Sequence, residues 1–523
     1  MDSNPNTPAF PTDKERKYDR QLRLWAASGQ AALESANVLL VNTITGNSGI
    51  ETLKNLVLPG IGRFTIADDA VVQDSDLGVN FFLDETCLGM SRAYCCKEYL
   101  IELNPDVTGE WFPRGKGIFD LEQLIESSLP FTVILYTLPL CATHLAVLKR
   151  YATQNKIPLL AVQNAGYYGY FTIELPELFP VVETHPEQEA IADLRLLDPW
   201  PELSIFAANM TRDIDIQDDL EHGHLPFVVI LLHYLERWKN DHEGCLPLKF
   251  AEKVAFRNMV ARGARRDNPE GGEENFDEAV SAVMKHVCKP SLPANLEQIF
   301  EYREQAIESS DDHFWIIAGA IERFWKKHGQ LPLQGGVPDM KAQSDVYIRL
   351  QQLYRQKAKE DASEVMALLP NKQIDEHDVE LFCRNAKFVK LIRSSKDAPD
   401  LAQIVVSENE SRRDELAAST GLQTSLSLLP VFLALNSFAF AQGCMPEDIV
   451  NEVTKRIPTW AGNRRLQIAA EELSRARSGD LHNISAFVGG MVAQEMIKII
   501  TKHCFGNVSK DASVVPLHAA AVQ

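Results

Sequence analysis

Apolar positions in the first third of the chain fall into short unbroken runs separated by stretches of helical period. Asn37-Val-Leu-Leu-Val41 has the length and content of a strand buried on both faces. Ile50, Leu53 and Val57 follow at i, i+3 and i+7, which predicts a helix with one buried face, and Pro59-Gly60 ends it. Phe64 to Ala67 reads as a second strand, running into Asp68-Asp69. Ser91 to Leu103 reads as a helix, and Thr132 to Tyr136 and Pro158 to Val162 read as further strands. A charged helix is expected ahead of them, over Lys14 to Ala32. Strands alternating with helices at this spacing imply an α/β, doubly wound parallel sheet, whose ligand crevice lies beyond the carboxyl ends of its strands.

Past Pro180 the strand-like runs thin out and helical patterns with charged interruptions continue to about residue 475. Arg265 to Glu278, with an Asn-Pro-Glu-Gly-Gly-Glu-Glu centre, is acidic and glycine-bearing and is expected to be a mobile loop. Tyr347, Leu350 and Tyr354 share one face of a helix expected over Asp345 to about Ala362. Near the end, Ala486, Gly489, Gly490 and Ala493 recur at helical spacing. Glycine inside a helix costs about 1 kcal/mol relative to alanine, so a close backbone contact is expected there to offset it. The pattern divides the chain into 1–180, an α/β part; 181–475, a large mainly helical stretch; and 476–523, a closing segment that carries the small-residue helix.

The length of 523 residues suits several folding units, and 45% apolar with 24% charged residues is a globular composition. A formal charge of −20 argues against nucleic acid or an anionic membrane as partner, since both need cationic surface. No stretch approaches the ~20 consecutive apolar residues of a membrane span, and Met1 to Lys17 lacks the apolar core of a secretory signal. The nine cysteines show no Cys-x-x-Cys spacing, so they are expected to be free, mostly as small buried hydrophobes, in a reducing compartment, cytoplasm or nucleus. No metal site is expected. There is no His-Glu-x-x-His, Gly-x-Ser-x-Gly or Walker lysine loop, which removes the commonest hydrolase and nucleotidase readings.

Three strings, Lys17-Tyr-Asp-Arg-Gln-Leu-Arg-Leu-Trp25, Asn55-Leu-Val-Leu-Pro-Gly-Ile-Gly62 and Ser75-Asp-Leu-Gly78, resemble the ThiF/MoeB-like adenylation fold of ubiquitin-activating enzymes and their bacterial relatives. Leu331-Pro-Leu-Gln-Gly-Gly-Val-Pro-Asp-Met340, Tyr347-Ile-Arg-Leu-Gln-Gln-Leu-Tyr-Arg-Gln-Lys-Ala358 and Gly489-Gly-Met-Val-Ala-Gln-Glu-Met-Ile-Lys-Ile-Ile500 are similar to the regulatory subunits of NEDD-8-activating enzymes. In that family two adenylation-type domains pair and usually one keeps an ATP site. The resemblance therefore implies a pseudo-adenylation domain split by a helical insertion over 181–475, a counterpart of the catalytic-cysteine domain without its cysteine, and completed by 476–523. It also implies a catalytic subunit as partner, holding ATP and magnesium, with NEDD-8 as the protein activated for neddylation.

Read against the family, the nucleotide site is degraded. Its glycine-rich turn here is Asn42-Thr-Ile-Thr-Gly-Asn-Ser-Gly49, in which only Gly49 clearly matches a family glycine, and β-branched Thr43, Ile44 and Thr45 are expected to crowd a phosphate. Asp68 matches the carboxylate that holds the ribose. Asp76 stands where the family has asparagine, Val79 where it has a phosphate-contacting arginine, and Arg92 where it has a lysine. Leu138 replaces the magnesium-binding aspartate. Gly49, Asp68 and Arg92 are thus vestigial positions, and no functional nucleotide site is expected.

Arg20 carries the one catalytic role the resemblance assigns to this chain. In the family the arginine of the Tyr-x-Arg-Gln helix reaches across the dimer into the partner's ATP site, as an arginine finger in trans. Arg23 is left open between that role and a solvated ion pair. Cys245, Cys288, Cys383 and Cys444 lie in no context that resembles the catalytic thiol, which is assigned to the partner. Two other readings remain: an autonomous adenylating enzyme, and a scaffold with no part in activation.

Overall fold

A computed structural model describes residues 12–44, 46–115, 119–183, 193–266, 272–306, 313–370, 374–393, 445–476 and 479–504. It contains two compact units, one of residues 1–181 with 392–523, the other of 182–391.

The first unit opens with α1 (Asp13–Lys17), α2 (Asp19–Ser35), β1 (Asn37–Val41), α3 (Asn47–Val57), β2 (Arg63–Ala67), α4 (Asp74–Leu77), α5 (Arg92–Leu103) and β3 (Thr108–Phe112). It continues with α6 (Leu121–Ser127), β4 (Val133–Thr137), α7 (Ala142–Asn155), β5 (Leu159–Ala165) and β6 (Tyr168–Glu174). The sheet runs β3-β2-β1-β4-β5-β6, parallel except for β6 against β5. Its strand order reverses between β1 and β4, where a doubly wound sheet opens its crevice. Alternation along β1 feeds two cores. Val38 and Leu40 pack with Leu53, Phe64 and Val492 on one face; Leu39 and Val41 pack with Phe131, Ile134 and Leu148 on the other.

The single N-terminal helix expected from the pattern is broken at Tyr18. That residue is buried, its hydroxyl accepting a hydrogen bond from Asn104 Nδ2 at 3.0 Å. A Cβ on Gly60, whose φ is +86°, would lie 2.6 Å from the same hydroxyl, so the turn after α3 is shaped around this ring.

After β7 (Leu178–Glu183) the chain enters the second unit: α8 (Pro201–Met210), α9 (Asp219–His222), α10 (Phe227–Asp241), α11 (Phe250–Ala261), α12 (Glu274–His286), α13 (Ala294–Ala306), α14 (His313–His328), α15 (Ser344–Ala367) and α16 (Glu376–Asn385). It is mainly helical, as expected, and Leu350 and Tyr354 of α15 are fully buried in its core. The acidic stretch differs from expectation. Residues 267–271 lie outside the described residues, but Glu274 already starts α12, and Glu273 is buried with Oε1 2.6 Å from His222 Nδ1 and Oε2 accepting the Arg265 N–H at 2.7 Å. Buried partners hold a carboxylate that composition alone assigns to solvent.

The chain returns through β8 (Val389–Arg393) to α17 (Pro446–Arg456), α18 (Arg464–Ala476), α19 (His482–Thr501) and β9 (His503–Cys504). The insertion therefore ends near residue 391, not 475. Ile449, Val453, Leu466, Ala470 and Leu473 of α17 and α18 bury their apolar faces with Ala165 and Tyr170 of the first unit. Helical periodicity reveals a buried face but not which core covers it. The close approach at Gly489 is observed: a Cβ there would lie 2.7 Å from Glu51 Cβ and 2.9 Å from the Thr52 nitrogen of α3. Although α19 has the length and composition of a membrane span, it packs in this core through Val488, Val492, Ala493 and Met496.

Cys87, Cys95, Cys96 and Cys383 are free and buried, as expected of most thiols; Cys141 is half-buried, and Cys245 and Cys288 are exposed exceptions. Both sit where the chain leaves a helix rather than on a packed face. Cys444 lies outside the described residues.

Candidate functional site: a crevice closed by its own side chains

At the carboxyl end of β2, Asp68 is 1% exposed and every interaction it makes is internal. Arg92 Nε donates to Oδ2 at 2.7 Å and Nη2 to Oδ1 at 3.1 Å, a two-pronged grip that the planar guanidinium is built for. Asn42 Nδ2 donates to Oδ2 at 2.9 Å and the Ala70 N–H to Oδ1 at 2.9 Å. The third prong of Arg92, Nη1, reaches Asp76 Oδ1 at 3.1 Å, and Asp76 Oδ2 accepts the Gln73 N–H. Burial works against the charge of Arg92, yet Asp68 and Asp76 outweigh it and push the guanidinium pKa above its ordinary value. Two of the departures noted in the sequence, Asp76 and Arg92, thus form one buried triad with the retained Asp68. The carboxylate at the end of β2, expected from the resemblance to hold a ribose, has both oxygens engaged within the chain.

The phosphate side is closed by different means. Gly46 caps α3 in the left-handed region at φ +55°, and a Cβ on it would meet Asn42 Oδ1 at 2.0 Å. Thr43, two residues past the end of β1, gives its N–H to Thr137 Oγ1 of β4 at 2.7 Å, and its hydroxyl contacts the Thr137 hydroxyl and carbonyl. These contacts staple the strands together at the point where the sheet order reverses. Ile44, at φ +52°, is 41% exposed, so hydrogen bonding by Thr43 rather than the bulk of Ile44 shuts the turn; Thr45 lies outside the described residues. A Cβ on Gly49 would lie 2.7 Å from Leu40 Cδ1. That glycine serves helix-to-strand packing.

At the α3 N-terminus an anion is already present. Asp480 Oδ2 accepts the Asn47 N–H at 3.1 Å, and Asp480 is buried. Helix N-termini attract negative charge through free N–H groups and the macrodipole, so this carboxylate occupies the position at which the helix end would hold an anion. Beside it, the Val79 carbonyl accepts from Asn47 Nδ2 at 2.6 Å and faces His482 Nδ1 at 3.0 Å, while His482 stacks on Phe81 at 3.6 Å. Leu138 follows β4 and packs against two apolar clusters, offering no oxygen to a metal. The residues of this crevice do not fit a magnesium nucleotide.

Arg20 stands apart from the triad. It is exposed on α2, with no hydrogen bond or ion pair to any described residue. Arg23 is spoken for: its Nη2 is 3.0 Å from Asp19 Oδ2, an exposed i,i+4 pair. Asp480, Thr137, Asn47 and His482 carried no signal in the sequence, since each matters only through a partner distant along the chain.

Fold and crevice together define a ThiF-type domain, and the ThiF family model matches residues 18–520. The NEDD8-activating enzyme E1 regulatory subunit of Xenopus laevis is 35% identical, over 94% of this chain and 94% of its own. That of Drosophila melanogaster is 34% identical, over 95% of each. The Arabidopsis thaliana regulatory subunit AXR1 is 30% identical, over 94% of this chain and 92% of its own. The chain belongs to this family of NEDD8-activating enzyme E1 regulatory subunits.

Proposed function

We propose that this chain is the regulatory half of a heterodimer that activates NEDD8, adenylating its C-terminal carboxylate with ATP and then forming a thioester. In this reading the catalytic subunit holds ATP, magnesium and the reactive cysteine, and the pair works in the cytoplasm or nucleus. The observation that carries it is the closed triad Asp68–Arg92–Asp76, which leaves the ribose carboxylate no free oxygen. Asp480 at the α3 N-terminus adds a like charge where phosphate would have to bind. Of the thiols in the helical unit, Cys383 is deeply buried, which raises its pKa and keeps it protonated and unreactive.

The chain contributes one group to the chemistry. Arg20 lends its guanidinium to the partner's site, where charge builds on the leaving pyrophosphate, and an exposed arginine without a partner among the described residues is free to do so. ATP–pyrophosphate exchange tests the reading. The purified chain alone is expected to be inactive, and exchange is expected on adding the catalytic subunit and NEDD8. Exchange by the chain alone would assign it an autonomous site instead.

A further inference from the structure

The second unit contains a cavity of about 220 Å³ whose lining includes Arg195, Asp198, Trp200, Phe324, Gln330 and Asp361. It adjoins the Leu331 to Met340 segment, which nothing in the activation chemistry uses. Its floor is held with care. Arg195 is buried and sits at φ +51°, a conformation a side-chain-bearing residue rarely adopts. It donates to the Leu331 carbonyl and pairs with Asp193 at 3.2 Å and Asp361 at 3.6 Å. Asp361 is buried, pairs with Lys357 at 3.0 Å and accepts the Leu333 N–H at 3.0 Å.

Charge accounting around the cavity leaves one carboxylate over. Arg195 and Lys357 are balanced by Asp193 and Asp361, and His328 is engaged by Glu364 at 2.7 Å. Among the described residues Asp198 has no cationic partner, only the neutral Gln330 Nε2 donating at 3.2 Å. That donation fixes the orientation of the amide and leaves Gln330 Oε1 buried without a partner. Two helix ends border the cavity, the N-terminus of α8 after Trp200 and the C-terminus of α14 at His328, and their partial charges oppose one another. The walls are aromatic: Trp200 is held edge-on against Tyr354 at 5.0 Å, and Phe324 lies against His328 at 4.4 Å.

An exposed carboxylate without an ion pair among the described residues, a buried acceptor without a partner beside it and aromatic walls suit a flat cation with several donors. Guanidinium meets all three demands, forking onto a carboxylate, donating further to an amide oxygen and stacking on indole, whereas an ammonium offers no plane. We propose that this cavity takes an arginine side chain presented by another protein. The formal charge of −20 steers a basic segment toward the chain in general, and Asp198 with Gln330 selects its arginine.

The test uses the full chain with N-acetyl-arginine methylamide, observed by saturation-transfer NMR. The arginine probe is expected to bind in the millimolar range. The uncharged citrulline analogue and the blocked lysine are expected to be weaker by about tenfold. Asp198→Asn, at an exposed residue, is expected to leave the thermal midpoint unchanged and weaken the arginine probe by about fivefold or more. Gln330→Leu is expected to weaken it as well. No binding at millimolar probe, equal binding of the citrulline analogue, or undiminished binding by the Asp198→Asn chain would each overturn the proposal.

Discussion

The guanidinium of Arg92 grips both oxygens of the Asp68 carboxylate, Nε at 2.7 Å and Nη2 at 3.1 Å, in a region where neither side chain reaches solvent. Removing one member of such a pair strands the other as a buried charge. Arg92→Leu is therefore expected to lower stability by about 3–5 kcal/mol in urea denaturation. The triple change Arg92→Met with Asp68→Leu and Asp76→Asn, which leaves no member of the triad charged, is expected to recover much of that loss. A loss below about 1 kcal/mol for Arg92→Leu would show that water enters the triad and that the crevice is less closed than its geometry indicates.

Arg20 presents the opposite case, an exposed side chain with no bond to any described residue. Arg20→Ala is expected to change stability by no more than about 0.5 kcal/mol. NEDD8 adenylation by the reconstituted heterodimer is expected to slow by about tenfold or more, at least ~1.4 kcal/mol in the barrier. Arg20→Lys is expected to restore little, because an ammonium cannot reproduce the fork. Unchanged exchange rates for Arg20→Ala would return Arg20 to the status of a solvated surface residue.

Gly489 and Gly490 make a matched pair on α19. Gly489→Ala places a Cβ 2.7 Å from Glu51 Cβ and 2.9 Å from the Thr52 nitrogen, so about 1–3 kcal/mol of destabilisation is expected. A Cβ on Gly490 meets nothing within 4 Å, and Gly490→Ala is expected to gain up to about 1 kcal/mol of helix propensity. Thermal denaturation of the two variants should shift in opposite directions.

In the helical unit, Glu322 accepts from Arg303 at 2.5 Å and from Lys326 at 2.6 Å. Burial opposes its ionisation, but the two cations prevail and hold its pKa below the ordinary 4.5. A carboxylate depressed on folding contributes stability that is fully present above its unfolded pKa. That stability is lost as pH falls from 4.5 through the lower folded value. Glu322→Gln is expected to lower stability at neutral pH and to flatten the acid limb of the stability profile below 4.5. An unchanged acid limb in pH-dependent urea titrations would count against it.

Much of the α/β unit was legible because its strands are unbroken apolar runs bounded by turn residues: β1, β2, β4 and β5 fall within a residue or a few of their expected positions. β3 was not, since Thr108–Phe112 mixes polar and aromatic residues and carries no buried-strand pattern at the sheet edge. α17 and α18 read correctly as helices but were placed in the wrong unit, because periodicity does not name the surface that covers an apolar face. At the crevice, Asp68, Asp76, Val79, Arg92 and Leu138 each stood out singly through resemblance. That three of them bond to one another was invisible, as was the contribution of Asp480. Contact between residues so far apart leaves no local mark.

The bond from the Asn47 N–H to Asp480 spans 433 residues. On a ribosome adding about 5–20 residues per second, Asp480 emerges roughly 20–90 s after Asn47. Throughout that interval the start of α3 lacks its anion, and the Glu51 and Thr52 surface lacks the glycine that later presses on it. The nascent α/β layer therefore waits, with apolar surface uncovered, while an entire helical unit is synthesised and folds. Its completion is gated by translation of the residues from Pro446 to Thr501, and a chain truncated before α19 leaves the ribosome as a client for chaperones.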